Sequence, residues 1–308
     1  MSEPSPVDPP RFEAEFEAPP ETCEAVSPLV RRVVAGNPGP FTFTGTCSYI
    51  VGQGEVAVID PGPDLDAHVA ALLDAVAGER VTHILVSHTH RDHSPAARAL
   101  QAATGAPILG CGPHRAARPL HNGEANTLEG SGDRAYAPDR VLAEGEVIEG
   151  PSWRLEAVET PGHTANHLCF ALAQEAALFS GDHVMAWSTS FVGPPDGAMG
   201  PYMASLEKLR EREETVYWPG HGGPVREPRR FVRALLHHRR QREASILNRL
   251  AAGDRTIAAM VPAIYQGLNP ALQGAAGLNV FAHLEDLVAR GLVRCEGAPS
   301  LSGIYAPA

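Results

Sequence analysis

At 308 residues with 44% hydrophobic content, the chain is long enough to bury a sizeable core and to hold one large domain beside a small one. Its 25 basic and 36 acidic residues give a net charge of -11, which argues against a protein that coats nucleic acid wholesale. The charge is uneven: from Arg229 onward there are ten arginines and no lysine against five acidic residues, a tail of +5 on a body of -16, which predicts a domain boundary near Pro228.

Residues 1–28 are rich in Pro and Glu and predict an N-terminal arm whose first residues are loosely held. Leu29 to Val34 and Phe41 to Val51 read as paired strands around the turn cluster Gly36-Asn37-Pro38-Gly39-Pro40. Glu55 to Ile59 continues the sheet and delivers Asp60 at its end. A helix follows after Asp64 as its cap, with Leu65, Val69, Leu72, Leu73 and Val76 at helical spacing.

Thr82 to Val86 is an apolar run expected of a strand covered on both faces, and Ser94 to Thr104 predicts a helix with a Ser cap and Pro in its first turn. Between them lies His88-Thr89-His90-Arg91-Asp92-His93, four metal-ligand side chains within six residues. At a strand end His88 and His90 point to one side, while Asp92 and His93 sit at the turn and face a second point nearby, so the spacing suggests one pair per metal. Three imidazoles and a carboxylate, with no thiolate in reach, suit a borderline divalent cation such as zinc.

Ile108 to Cys111 is a further short strand, and this βαβ rhythm predicts an α/β layer with helices outside the sheet. Gly112 to Gly132 lacks periodicity and reads as a surface excursion. Strand-like runs recur at Trp153 to Val158, His167 to Leu172, Ala176 to Phe179 and Thr215 to Trp218. A long loop, Val184 to Gly197, precedes a helix at Tyr202 to Glu214 and is placed to line a substrate groove. Helices at Pro228 to Leu250, Thr256 to Tyr265 and Asn279 to Arg290, then a short end with strand potential, form a winged-helix pattern. Such a module either binds nucleic acid or packs on the catalytic domain and shapes its cleft. His237-His238 beside Arg239-Arg240 reads as a solvated helix face.

Five cysteines, Cys23, Cys47, Cys111, Cys169 and Cys295, show no Cys-x-x-Cys pairing, which argues against a disulfide framework and suits a reducing compartment. The first residues lack the basic and apolar regions of a signal peptide, and no stretch approaches the roughly 18 apolar residues of a membrane span. The expectation is a cytoplasmic protein without a membrane partner.

The His88 to His93 run resembles the signature of the metallo-β-lactamase superfamily, and its other motifs follow in order: Asp60 in Val58-Ile59-Asp60-Pro61-Gly62, His163 in Thr160-Pro161-Gly162-His163, Asp182 in Ser180-Gly181-Asp182, and His221 in Pro219-Gly220-His221-Gly222. The resemblance implies an αββα sandwich over residues 29–228, followed at 229–308 by a linker helix and a small, mainly α winged-helix domain. It implies two zinc ions per chain: His88, His90 and His163 on the first, Asp92, His93 and His221 on the second, Asp182 bridging. Zinc is expected because His90 stands where iron-binding, oxygen-reducing relatives carry a Glu. Within the superfamily the chain is similar to the branch containing a mitochondrial β-lactamase-like endoribonuclease and its bacterial relatives. It departs from that branch at Cys47, where Asn is expected after Gly45-Thr46, so a side-chain amide is replaced by a weakly hydrogen-bonding thiol.

Two zinc ions against two carboxylates and a hydroxide leave about +1 in a formal count, which favours an anionic or oxyanion-forming substrate. Asp92 is a candidate to orient the attacking water, and His167 a candidate proton donor to the leaving group. The leading expectation is a metal-dependent phosphodiesterase acting on single-stranded RNA, with phosphate contacts from the basic tail. The alternative is a thioester, ester or amide hydrolase on the same metal centre. The bridging Asp182 and the N-terminal composition argue against β-lactam hydrolysis, and the complete ligand set argues against a DNA-binding regulator with a vestigial metal domain.

Overall fold

A computed structural model describes residues 9–122 and 124–308. The first eight residues of the expected arm lie outside it. In the first half of the chain the strands are β1 (Cys23–Ala25), β2 (Val30–Val34), β3 (Cys47–Gln53), β4 (Glu55–Ile59), β5 (Arg80–Val86), β6 (Ile108–Gly110) and β7 (Arg140–Val141), with helices α1 (Asp66–Ala75) and α2 (Ala96–Thr104). They form one seven-stranded sheet in sequence order, antiparallel from β1 to β4 and parallel from β4 to β7. The second sheet holds β8 (Val147–Glu149), β9 (Arg154–Glu159), β10 (Leu168–Leu172), β11 (Ala177–Gly181) and β12 (Val216–Pro219), in the order β12-β11-β10-β9-β8 with β11 and β12 parallel. Helices α3 (Met199–Arg210) and α4 (Pro228–Ala251) follow, then α5 (Ile257–Ile264), α6 (Gln273–Ala289) and a two-stranded wing, β13 (Val293–Cys295) with β14 (Tyr305–Pro307).

Side-chain alternation along the strands builds the layers. On β10, Leu168, Phe170 and Leu172 enter the core shared by the two sheets, while Cys169 and Ala171 enter a second core under α3 and α4. Both faces are covered, which is why the run is apolar throughout. Trp153 pins the sheets together, its Nε1–H donating to Glu55 O at 2.9 Å. Gly52 (φ +101°) and Gly150 make room for its ring: a Cβ at either would lie 2.3 or 2.5 Å from it. The third core lies in the C-terminal module, where Ile246 and Leu250 of α4 meet Met260, Val280, Leu284, Leu287 and Tyr305. Helix α4 therefore belongs to two cores, with Val232, Leu235 and Leu236 in the second. Among the described residues no helix is long and apolar enough to cross a membrane.

Several elements differ from the sequence reading. Phe41 to Thr46 is a loop, because Phe43 (φ 55°) and Gly45 (φ 137°) leave the extended region and the Asn37 side chain clamps Thr46 through both its amide groups. Neither Asp64 nor Ser94 caps a helix: α1 starts from Leu65 without a side-chain cap, and Ser94 Oγ–H donates to Asp133 instead, at 3.0 Å. Helix α3 starts at Met199 and ends at Arg210, short of the expected Glu214, whose carboxylate pairs with Arg212 in the turn that follows. Residues 9–28 lie along the body, with Glu13 N–H donating to Ala186 O at 2.9 Å and Arg32 stacked over Phe16. Within the His237 to Arg240 stretch Arg239 departs from a solvated face, being 3% exposed, while Arg240 is exposed and the two histidines are half-buried.

His283 on α6 is buried, and neither ring nitrogen has a hydrogen-bond partner among the described residues. Burial, reinforced by Arg239 and Arg242, pushes its imidazole down to about 3. The unfolded chain, with an ordinary imidazole, takes up a proton that the folded chain refuses, so this group costs stability as pH falls below about 6.5. Between pH 7 and pH 5 the loss is expected to be about 2 kcal/mol. Urea unfolding of wild type and His283→Leu at both pH values checks this: the variant should show correspondingly less acid sensitivity.

Candidate metal centre

Every chemistry-bearing motif sits at one edge of the two sheets. Asp60 follows β4, His88 to His93 follow β5, Asp182 follows β11 and His221 follows β12, while His163 lies on the turn from β9 to β10. Two backbone bonds join the sheets at this edge, Leu168 N–H to Ser87 O at 2.8 Å and Cys47 N–H to Gly220 O at 2.7 Å, and within the second sheet Gly220 N–H donates to Gly181 O at 2.8 Å.

The seven side chains singled out as ligands converge, with Asp60 joining His88 and His93 in a further cluster and Asp182 also lying 3.4 Å from both His93 and His221. His88, His90, His163 and Asp182 form one group and Asp92, His93 and His221 a second. In the first, His90 Nδ1 lies 3.1 Å from His88 Nε2 and 2.9 Å from His163 Nε2, and Asp182 Oδ2 lies 3.6 Å from His163 Nε2. In the second, His93 Nε2 is 3.4 Å from Asp92 Oδ2 and 3.3 Å from His221 Nε2, and His221 Nε2 is 3.4 Å from Asp182 Oδ2. A tetrahedral cation bound at about 2.0–2.2 Å spaces its ligand atoms about 3.3–3.6 Å apart, which the second set matches, while in the first the His90 contacts at 3.1 and 2.9 Å would open by a few tenths of an ångström on binding. Gly220 keeps the cradle open, since a Cβ there would stand 2.5 Å from Asp182 Oδ1 and 2.6 Å from the His93 ring. Asp182 Oδ1 is buried and has no hydrogen-bond donor among the described residues, its nearest charged neighbour being His93 Nε2 at 3.4 Å.

Four of the five imidazoles, all but His90, are aimed by a bond to the other nitrogen. His93 Nδ1–H donates to Asp60 Oδ2 at 3.1 Å, and the same carboxylate accepts from Ser87 N–H at 2.7 Å and Ser87 Oγ–H at 2.6 Å. Ser87 Oγ in turn accepts from His88 Nδ1–H at 3.0 Å. His163 Nδ1–H donates to Phe191 O at 2.6 Å and His221 Nδ1–H to Gly45 O at 3.2 Å. At the neutral rings of His88 and His163 these partners leave Nε2 as a lone pair, the form that binds metal, while at His93 and His221 they point Nε2 inward, where a metal ion would displace a proton.

Burial sets the protonation pattern together with the carboxylates. It drives His88 well below the ordinary imidazole range and, with His163 adjacent, takes His90 down to about 3. At His93 and His221 burial is outweighed by Asp92 and Asp182, which raise His221 to about 9. Conversely, against burial, His93 and His221 hold both carboxylates well below their usual range. The cluster thus draws positive charge to the two aspartates.

His167 is 1% exposed. Its Nδ1 bonds Thr160 Oγ1 at 2.8 Å and its Nε2 accepts Asp182 N–H at 3.2 Å. Burial, then His183 and His163, hold its imidazole neutral. Cys47 is fully buried behind Gly220 to Gly222, with burial raising its thiol to about 11, so it faces the core and not the cleft. Sequence reasoning missed a polar layer behind Thr89, whose Oγ1 meets Asn166 Nδ2 at 3.1 Å and His114 Nδ1 at 2.9 Å, while His114 Nε2 faces Asp196 at 3.4 Å. It also missed the carbonyls of Gly45 and Phe191, which no side chain betrays.

Comparison with known proteins identifies the framework. The description "Metallo-beta-lactamase superfamily" matches residues 41–221, and "Beta-lactamase associated winged helix domain" matches residues 256–300. An Atrochrysone carboxyl ACP thioesterase from Claviceps purpurea is 29% identical over 233 residues, 73% of this chain and 66% of that protein. The chain therefore spans just under two thirds of that relative. A Beta-lactamase-like protein 2 homolog from Caenorhabditis elegans is 29% identical over 278 residues, 89% of this chain and 88% of that protein. Among solved structures, a metallo-beta-lactamase family protein from Thermus thermophilus superposes with a TM-score of 0.73 at 25% identity, covering 92% of this chain and all of that one. Another, in a di-iron-bound form, has a TM-score of 0.50 at 27% identity and covers 64% of this chain and 95% of its own. The chain belongs to the metallo-β-lactamase superfamily and carries a C-terminal winged-helix domain.

Proposed function

We propose that the protein is a dinuclear zinc-dependent hydrolase whose substrate is a thioester or related acyl ester. His88, His90 and His163 would hold one ion, Asp92, His93 and His221 the other, with Asp182 between them. The observation that carries this is the convergence of six donor side chains on Asp182, which lies 3.4–3.6 Å from His93, His163 and His221. The imidazole-rich set favours zinc, although a relative solved with two irons makes iron the competing metal. When bound, the ions supply a water acidified to about pKa 7 and positive charge against a developing oxyanion.

The chain's own residues supply orientation. Asp92, with 26% of its side chain exposed, opens to solvent more than Asp182 and is set to accept a hydrogen from the attacking water. His167, with both nitrogens engaged, is assigned to holding Asp182 in place rather than to proton donation. Residues 29–228 form the catalytic domain in this reading, 229–308 the linker helix and winged-helix domain, and 1–28 an arm. Five free thiols support a cytoplasmic location.

Two observations favour the acyl substrate. Phe43 stacks on Trp187 at 4.9 Å beside Gly222, and the half-exposed Phe41 meets Phe191, giving an apolar wall that runs between His221 and His163. Four arginines of the basic tail expected to contact RNA are meanwhile engaged within the protein: Arg239 is buried, Arg240 pairs with Glu207, Arg249 with Asp254, and Arg242 lies over Tyr265. A phosphodiester remains the second reading, because Arg210, Arg229, Arg230 and Arg233 line one groove with a single acidic residue, Glu211. That groove is formed where the end of α3 meets the first turns of α4.

Protein purified without added metal should contain two zinc ions per chain by elemental analysis; one ion, or mainly iron, would overturn the metal assignment. Asp182→Asn is expected to weaken binding of both ions and His221→Ala chiefly of one, each by about tenfold or more. Two ions retained with near-normal turnover in Asp182→Asn would contradict the bridging role.

The substrate is tested by assaying the intact protein on an aryl-acyl thioester, an RNA oligonucleotide and a small chromogenic phosphodiester at two salt concentrations. Chelator-sensitive thioester turnover that is insensitive to salt is expected. RNA cleavage that falls steeply with salt, without thioester turnover, would transfer the assignment to the phosphodiester.

A further inference from the structure

His163 is oriented by the long loop between β11 and α3: its Nδ1–H donates to Phe191 O at 2.6 Å, turning Nε2 toward His90. The residues on either side of Phe191 are held from the C-terminal helices. Ser190 O accepts from Arg239 Nη2 of α4, and Val192 N–H donates to Asn279 Oδ1 of α6 at 3.3 Å. Arg239 Nη1 donates to the same Asn279 oxygen at 3.3 Å, so the two side chains form one clamp around Ser190 to Val192.

Arg239 is almost fully buried, with its guanidinium 5.0 Å above the Tyr202 ring, and no carboxylate pairs with it among the described residues. Burying an uncompensated guanidinium costs stability that an apolar side chain on this packed face would avoid. What the guanidinium adds is direction, a fixed fork of donors aimed at a loop carbonyl and a side-chain amide. A second bridge between module and body, Arg118 to Glu285 at 2.5 Å, bonds no candidate ligand and no group that orients one.

We infer that Arg239 and Asn279 are positioning residues for His163, so that the winged-helix module acts on the metal centre by clamping the loop whose carbonyl aims that imidazole. The inference rests on reading His163 as a metal ligand. Its consequence is that α4 and α6 tune the affinity of the site they never touch.

The test is calorimetric titration of metal-stripped full-length protein with zinc in a competing chelator, with thermal melts of the same samples. His163→Ala marks the binding step that belongs to its site. Asn279→Ala is expected to weaken that same step by about tenfold, the lower end of the effect of losing a group that orients a ligand. Asn279→Asp keeps an acceptor for both Val192 N–H and Arg239 and should restore wild-type affinity, while Arg239→Met should behave as Asn279→Ala. Glu285→Gln should lower the melting temperature and leave both zinc steps unchanged, separating positioning from general loosening. Should Arg239→Met fail to fold, the partly exposed Asn279 pair decides alone. Wild-type zinc binding in Asn279→Ala, with His163→Ala losing a step, would overturn the clamp. If His163→Ala itself bound both ions normally, the ligand reading would fail first and the inference with it.

Discussion

The structure is organised around one buried carboxylate. Asp182 is 6% exposed, has one oxygen with no hydrogen-bond donor among the described residues, and is faced by the rings of His88, His93, His163 and His221. An ionised carboxylate so placed is tolerable only with positive charge beside it. Two sheets from different parts of the chain must pack over one core with their strand ends aligned to put those imidazoles there. The backbone bonds between Cys47 and Gly220, Gly220 and Gly181, and Leu168 and Ser87 hold those ends to within the sub-ångström tolerance that metal ligation demands. Asp60 supports the arrangement from behind, at a strained positive φ of 48°, by fixing the strand end at Ser87 and the tautomer of His93.

Helix α4 carries this order outward. Its 24 residues make it about 36 Å long, enough to serve a core in the catalytic layer at one end and a core in the winged-helix module at the other. Arg239 sits between the two, where the helix passes the loop of Ser190 to Val192. There Arg239 alone of the His237 to Arg240 stretch turns into the interior, while Arg240 stays exposed.

What could be read from the chain was local. His88 to His93 announces itself because four ligands fall within six residues after an apolar strand, and the strands β4, β5 and β9 to β12 emerge within a few residues of expectation from their apolar runs. His163, Asp182 and His221 became legible only through family motifs, since each lies alone in its own segment. Phe41-Thr42-Phe43-Thr44 mimics a strand by alternating, yet Gly45 and Asn37 impose a turn on it. Arg239 had a readable signal that its polar neighbours masked: it follows Val232, Leu235 and Leu236 at the spacing of one helical face. Asn279, and the carbonyls of Gly45 and Phe191, act across tens of residues through contacts that no periodicity encodes.

The central claim, that one carboxylate organises two metal subsites, can be seen directly. Anomalous diffraction at the zinc edge, from crystals of protein supplied with zinc, should show two peaks. One is expected within the His88, His90 and His163 nitrogens and one within Asp92, His93 and His221, both in bonding contact with Asp182. A single peak, or two peaks of which only one touches Asp182, would contradict the account.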